Sequence, residues 1–289
     1  FDTGSLAFND VILDAGGAVT VVGTITVNGN LTITATHATT NGGTIAVAGN
    51  VTTADTSNGG NATLLFNGAG NQTLSANGGT GYVSGVRINK PSGTLTIQDT
   101  IGTTGNWTYV AGTVNAGTST VVFATNPLSV DTGSMSFNHV KIQIGSNILT
   151  VTGTLDVNGD LTITSSGAMN TGTIAVAGNV TTTDSSVDSS TGTLRFDGTG
   201  DQTLGANAGE GSVPKVEINK PGGTLTIQDT IRVYNGWTWT AGTVNAGTST
   251  VKFFGTGTIS SGSMSFHHVN LSTTQTITGT MDVNGDLAL

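Results

Sequence analysis

The sequence predicts an all-β chain wound as a parallel β-solenoid, right-handed or left-handed. Three observations predict it: a long internal repeat, a shorter recurrence nested inside it, and side chains that alternate with a period of two. The long repeat comes first, because an overlooked repeat assigns the wrong fold to a whole chain. Gly4-Ser5-Leu6-Ala7-Phe8-Asn9 returns as Gly133-Ser134-Met135-Ser136-Phe137-Asn138 and as Gly262-Ser263-Met264-Ser265-Phe266-His267, a spacing of 129 residues both times. Asn89-Lys90-Pro91 returns as Asn219-Lys220-Pro221, Thr96-Ile97-Gln98-Asp99-Thr100-Ile101 as Thr226-Ile227-Gln228-Asp229-Thr230-Ile231, and Ala111-Gly112-Thr113-Val114-Asn115 as Ala241-Gly242-Thr243-Val244-Asn245. The 289 residues therefore divide into the end of one unit (1–7), two full units (8–136 and 137–265) and the start of a third (266–289).

Inside a unit, strand-like segments open at Phe8, Ile25, Ile45, Leu64, Val83, Ile101 and Val121, with lengths of 16 to 20 residues. Read as coils, these give seven per unit and about 15 in the chain, a rod of roughly 70 Å at ~4.8 Å per coil. The coils share an inner phrase, as in Val27-Asn28-Gly29-Asn30-Leu31-Thr32 and Val47-Ala48-Gly49-Asn50-Val51-Thr52. Asn-Gly and Gly-Asn tolerate the positive φ that tight turns require. Steady recurrence favours parallel stacking, in which each coil covers its neighbour. The rival is an antiparallel sandwich of hairpins joined by the same turn dipeptides.

Comparing units predicts which way side chains point, since an outward position accepts charge and an inward one does not. Leu65 becomes Arg195 and Val122 becomes Lys252, while Leu64, Phe66, Val121 and Phe123 stay apolar in both copies. Ile12 becomes Lys141 and then Asn270, between positions that remain apolar. The expected core therefore holds Phe8, Val11, Leu13, Leu64, Phe66, Trp107 and Phe123, with Leu65, Val122 and Ile12 facing outward.

Composition agrees. Gly occurs 44 times, charged residues make up 9% and aromatics 5%, against about 25% charged in an ordinary domain. The net charge of −9 is scattered singly, so no basic stripe offers itself to nucleic acid. No run of about 18 apolar residues predicts a membrane span. Without cysteine there are neither disulfides nor thiolate metal sites. Both ends, Phe1-Asp2-Thr3-Gly4 and Leu287-Ala288-Leu289, fall within repeat phrases and look like cuts through a continuing winding. The phrases Gly23 to Thr32 and Gly192 to Leu204 resemble the repeats of large secreted bacterial β-solenoid proteins, haemagglutinin-like adhesins and surface filaments. That resemblance implies an extracellular or cell-surface location.

Candidate sites are each weighed against a structural reading. Asp156-Val157-Asn158-Gly159-Asp160 and Asp282-Val283-Asn284-Gly285-Asp286 alternate oxygens as a calcium loop opens. The closing twelfth position is Gly167, however, and the first unit has Thr26-Val27-Asn28-Gly29-Asn30 there, so a solvated turn is expected. A polysaccharide-cleaving enzyme needs clustered carboxylates, but Glu210 and Glu217 are the only glutamates and Arg87 occupies the slot of Glu217 in the other unit. His267 and His268, adjacent on a strand, are expected to point apart and to be exposed. Trp107 with Tyr109 and Trp237 with Trp239 suggest a sugar platform, against core filling for the first of each pair. Lys90 with Asp99 and Lys220 with Asp229 suggest surface ion pairs across a turn, worth about 0 to 1 kcal/mol. Outward Thr32, Thr34, Thr94 and Thr96 raise an ice-binding face, which uneven coils would spoil. No catalytic, cofactor or metal residue is assigned. The expected function is a structural or adhesive rod within a longer filament, whose partners are copies of itself end to end or laterally, further repeats of the same chain, glycans or a surface. A polysaccharide-binding or polysaccharide-degrading β-helix is the alternative.

Overall fold

The computed structural model describes residues 6–34, 39–54, 60–124, 128–165, 167–183 and 190–289. Gly4 and Ser5, which open the first copy of the long repeat, lie outside the described residues. The chain is a parallel β-solenoid of about 13 turns, and no helix occurs among the described residues. It divides into two compact units, 1–139 and 140–289.

In the first unit, Ile25, Ile45, Leu64, Val86 and Trp107 stack in register from coil to coil. A second ladder joins Val11–Leu13, Leu31–Ile33, Val51–Thr53 and Gln72–Ser75. A third joins Thr80–Val83, Thr100–Thr103 and Thr120–Ala124. The long strand Gly85–Ile97 turns a corner, its first half in the first ladder and its second half, from Leu95, in the second. The second unit repeats the scheme, with Leu155, Ile174, Leu194, Val216, Trp237 and Ile259 stacked in register. Every ladder described within either unit is parallel, so the antiparallel sandwich is not the fold.

The register corrects the coil count. Stacked partners are 17 to 24 residues apart, which gives about 13 turns rather than 15. Each coil carries more than one strand, and the segment at Val83 belongs to the third ladder, whereas the coil below Leu64 continues at Val86. Two strands of one coil had been read as two coils.

Alternation holds along most ladders. Leu64, Phe66, Trp107 and Phe123 are buried, and Ile12 is 69% exposed. Phe8, Val11 and Leu13, expected in the core, are half-buried, because they lie on the first described coil and are covered by a neighbour on one side only. Val122, expected outward, is 4% exposed. A Cβ on its ladder neighbour Gly102 would stand 2.3 Å from Cε1 of Tyr82. The Tyr82 ring therefore lies across Gly102 toward Val122, and the outer face is roofed there.

Leu65 is half-buried and stacks beside Arg87; in the second unit Arg195 stacks beside Glu217. The two outward positions thus change as a pair, which accounts for the charge reversal between units. Leu65→Glu is expected to change stability by no more than about 0.5 kcal/mol, whereas Leu65→Lys sets like charges side by side and costs a few tenths more. Denaturant unfolding of both variants checks this order.

Candidate functional site

The residues that recur most faithfully turn out to build the corner of the coil. Lys90 and Lys220, expected on the surface, are each 2% exposed. The Lys90 ammonium donates to the carbonyl oxygens of Gly68 and Gly70 at 2.7 and 2.9 Å and to Oε1 of Gln72 at 2.7 Å. Lys220 donates to Gly198, Gly200 and Oε1 of Gln202 at 2.8, 2.9 and 2.5 Å. Each amine thus matches its three donors to three neutral acceptors in the turn of the preceding coil. The glutamines are held in turn, Gln72 Nε2 donating to the carbonyls of Val47 and Gly49 at 3.0 and 2.6 Å. Burial lowers the pKa of both lysines, and at Lys220 the carboxylates of Asp201 and Asp197 partly oppose that. Gly93 closes the same corner at φ +70°, where a Cβ would stand 2.4 Å from the Gly70 carbonyl oxygen. No other residue fits that approach.

The expected Lys–Asp pairs do not form. Asp99 instead accepts the backbone N–H groups of Ala76 and Gly78, both at 3.0 Å, and Asp229 those of Ala206 and Ala208 at 2.9 and 3.1 Å. Both aspartates sit at positive φ, 65° and 64°, a conformation their short polar side chain tolerates.

The turn phrases have a related explanation. Asp10 Oδ1 accepts the Asn30 N–H at 2.6 Å, Asn30 Oδ1 that of Asn50 at 2.9 Å, and Asn50 Oδ1 that of Thr73 at 2.9 Å. Asp160 and Asn179 continue the pattern in the second unit, onto Asn179 and Thr203. Asp160 is thus a rung of a turn ladder in the suggested calcium loop. Asp156 is half-buried, and its carboxyl pKa is raised by burial and by Asp197, against Arg195. Asp282 and Asp286 are exposed. Among the described residues, no three His, Asp or Glu side chains form a group able to hold a metal ion.

Trp107 and Trp237 are fully buried, their indole N–H groups directed at the sulfurs of Met135 and Met264 at 3.4 and 3.2 Å. Tyr109 and Trp239 are half-buried and tied to the carbonyl oxygens of Gly112 and Gly242 at 2.6 and 3.0 Å. His267 and His268 are half-buried with ring centroids 4.2 Å apart. They neither point apart nor stand exposed, because one strand ends at Phe266 and the next begins at His268, which breaks the alternation between them. His268 Nδ1 accepts the Asp286 N–H at 2.9 Å, the rung that Asp10 supplies in the first unit.

Glu210 and Glu217 lie on different ladders. Glu210 meets Arg232 at 3.3 Å and Lys252 at 2.5 Å, and the Arg232 guanidinium stands 4.0 Å over the Phe254 ring. Their counterparts in the first unit are Thr80, Gly102, Val122 and Ala124, so this charged cluster is not shared. Outward threonines stack, with Thr24, Thr44 and Thr63 in register, but the adjacent rank runs Thr26, Ala46, Leu65 and loses its hydroxyls after one rung.

The first unit also carries a recess of about 570 Å³, lined by the stacked Thr24, Thr44, Thr63 and Gly85 and by Asn61, Arg87, Asn106 and Thr108. Sequence reasoning took Arg87 only as a mismatch with Glu217. Its register beside Gly85, which is Lys215 in the second unit, was the signal that could have found the recess. The protein is a repeat solenoid whose two units share a skeleton and differ in part on the outside. Comparison with known proteins found no matching family model, no matching curated protein and no matching solved structure.

Proposed function

We propose that the chain is a structural or adhesive segment of a longer extracellular or cell-surface filament, and that it acts without a catalytic site. One observation carries this reading. Much of what the two units hold in common is turned inward or into the turns: the lysine–glutamine corners, the Asp99 and Asp229 turns, and the Trp107 and Trp237 cores. Part of the outward surface differs from unit to unit, as at Leu65 and Arg195, Arg87 and Glu217, Thr80 and Glu210, while Thr113 and Asn115 recur exposed as Thr243 and Asn245. A repeat that preserves its skeleton while varying its surface suits a scaffold of continuous parallel pairing. Partners on this reading are copies of the chain or further repeats, meeting end to end or laterally, and glycans on a surface. Electron microscopy of native source material tests it, with extended filaments expected. Isolated compact particles, or turnover of a polysaccharide by the purified chain, would overturn it.

A further inference from the structure

We propose that the recess beside Arg87 binds the carboxylate groups of an acidic polysaccharide, an inference that gives the adhesive reading its ligand and rests on it. The first repeat contains two residues of the lysine and arginine kind, Arg87 and Lys90. Lys90 is buried and saturated, so Arg87, which is exposed, is the one lysine or arginine side chain that the first repeat presents among the described residues. Among the described residues, no carboxylate lines the recess in which it stands. A guanidinium offers planar paired donors that match a carboxylate, and it remains charged at every relevant pH.

The walls add further donors in fixed orientation. Asn61 Oδ1 accepts the Gly42 N–H at 2.8 Å and Asn106 Oδ1 accepts the Ser129 N–H at 2.9 Å. Each amide is thereby held by its oxygen, and its NH₂ group is left to donate. Threonine hydroxyls complete a lining suited to sugar hydroxyls and carboxylates. Among the described residues, no aromatic ring walls the recess, so recognition rests on charge and hydrogen bonds rather than on ring stacking. Thr24, Thr44, Thr63 and Gly85 follow one another in register, at about 4.8 Å per coil, and Asn106 follows on the next coil, its carbonyl oxygen accepting the Val86 N–H at 2.8 Å. A trough of that length suits a chain of sugars better than a single one. In the second unit Asn61, Gly85, Arg87 and Asn106 are replaced by Thr191, Lys215, Glu217 and Gly236. One amide is lost there and the other moves one place to Asn235, where it donates to the Ser190 carbonyl, and an acid stands in the place of the guanidinium.

Binding of the whole chain to polygalacturonate, dextran sulfate and neutral dextran, measured by affinity electrophoresis at low and moderate salt, tests the assignment. Polygalacturonate is expected to retard the protein and neutral dextran is not. Arg87→Gln should weaken the interaction about tenfold, the loss of one charge-assisted hydrogen-bonding group, while Glu217→Gln leaves it unchanged. Asn61→Asp keeps the acceptor for Gly42 but sets a carboxylate in the recess, and should weaken binding similarly. That second variant decides the matter if Arg87→Gln does not fold. Absence of retardation, or equal retardation of both recess variants and the parent, overturns the site. Equal or stronger retardation by dextran sulfate overturns the carboxylate assignment. Filaments seen by microscopy without polygalacturonate binding would overturn this site alone, whereas compact particles that still bind would overturn the filament and leave the site standing.

Discussion

Replacing Trp107 with alanine is expected to lower the stability of the first unit by about 3 to 5 kcal/mol. The indole is wholly buried, packed edge-on against Phe137 at 5.1 Å and against Phe123 at 6.5 Å between ring centroids. Those two phenyl rings also meet each other edge-on at 5.8 Å. Truncation opens a cavity among three mutually packed rings and removes the donor facing the Met135 sulfur. The ladder on either side fixes the backbone, since Trp107 is in register with Val86 and with Val130, so collapse into the void is limited. Trp107→Phe keeps most of the volume and should cost markedly less. Denaturant midpoints compared at constant slope measure both, and a midpoint unchanged in Trp107→Ala would show that this cluster is not a core.

Lys90→Met should cost about 2 to 4 kcal/mol. Methionine retains the apolar stem, but the Gly68 and Gly70 carbonyls lose their buried donor, at about 1 to 3 kcal/mol for each stranded group. Gln72 Oε1 still accepts the Gly68 N–H at 3.1 Å and softens the loss. The same lysine gives a pH signature. Its folded pKa lies below its unfolded value, so between the two the unfolded chain binds more protons, and stability rises with pH across that alkaline window. In Lys90→Met the share of that rise due to Lys90 disappears, leaving that of Lys220. Unfolding measured at neutral pH and again toward the ordinary lysine range separates the two effects. A variant as stable as the parent at neutral pH would show that the corner does not depend on the amine.

These two residues also mark how far the sequence could be read. Trp107 was legible because it takes the slot of Leu31 and Val51 after the turn phrase, and strand alternation then sends it inward. Leu65 and Ile12 were legible for the converse reason, since their counterparts carry charge. Lys90 was not, because an isolated lysine reads as surface unless three acceptors converge on it, and those acceptors are mostly backbone carbonyls from the previous coil. The only trace in the sequence was that Gln72 and Lys90 recur together as Gln202 and Lys220. Val122 failed because the residue beside it in the ladder, Gly102, leaves room for the Tyr82 ring of the next strand over, an arrangement that alternation within one strand cannot express. The recess at Arg87 depends on missing side chains at Gly85 and on lateral register, so it emerges only once coils are stacked.

A winding made of near-identical strands faces a hazard of its own: any coil can settle on the wrong neighbour, one turn early or late, with almost the same hydrogen bonds. The lysine corner discriminates between these outcomes. Lys90 finds its acceptors in the turn formed by Gly68, Gly70 and Gln72, and the turn one coil earlier, Ala48-Gly49-Asn50, has no glutamine in that place. A misplaced coil would bury an ammonium without its full set of oxygens, so the corner acts as a proofreading mark, set once in each long repeat, that lets a monotonous chain count its own turns.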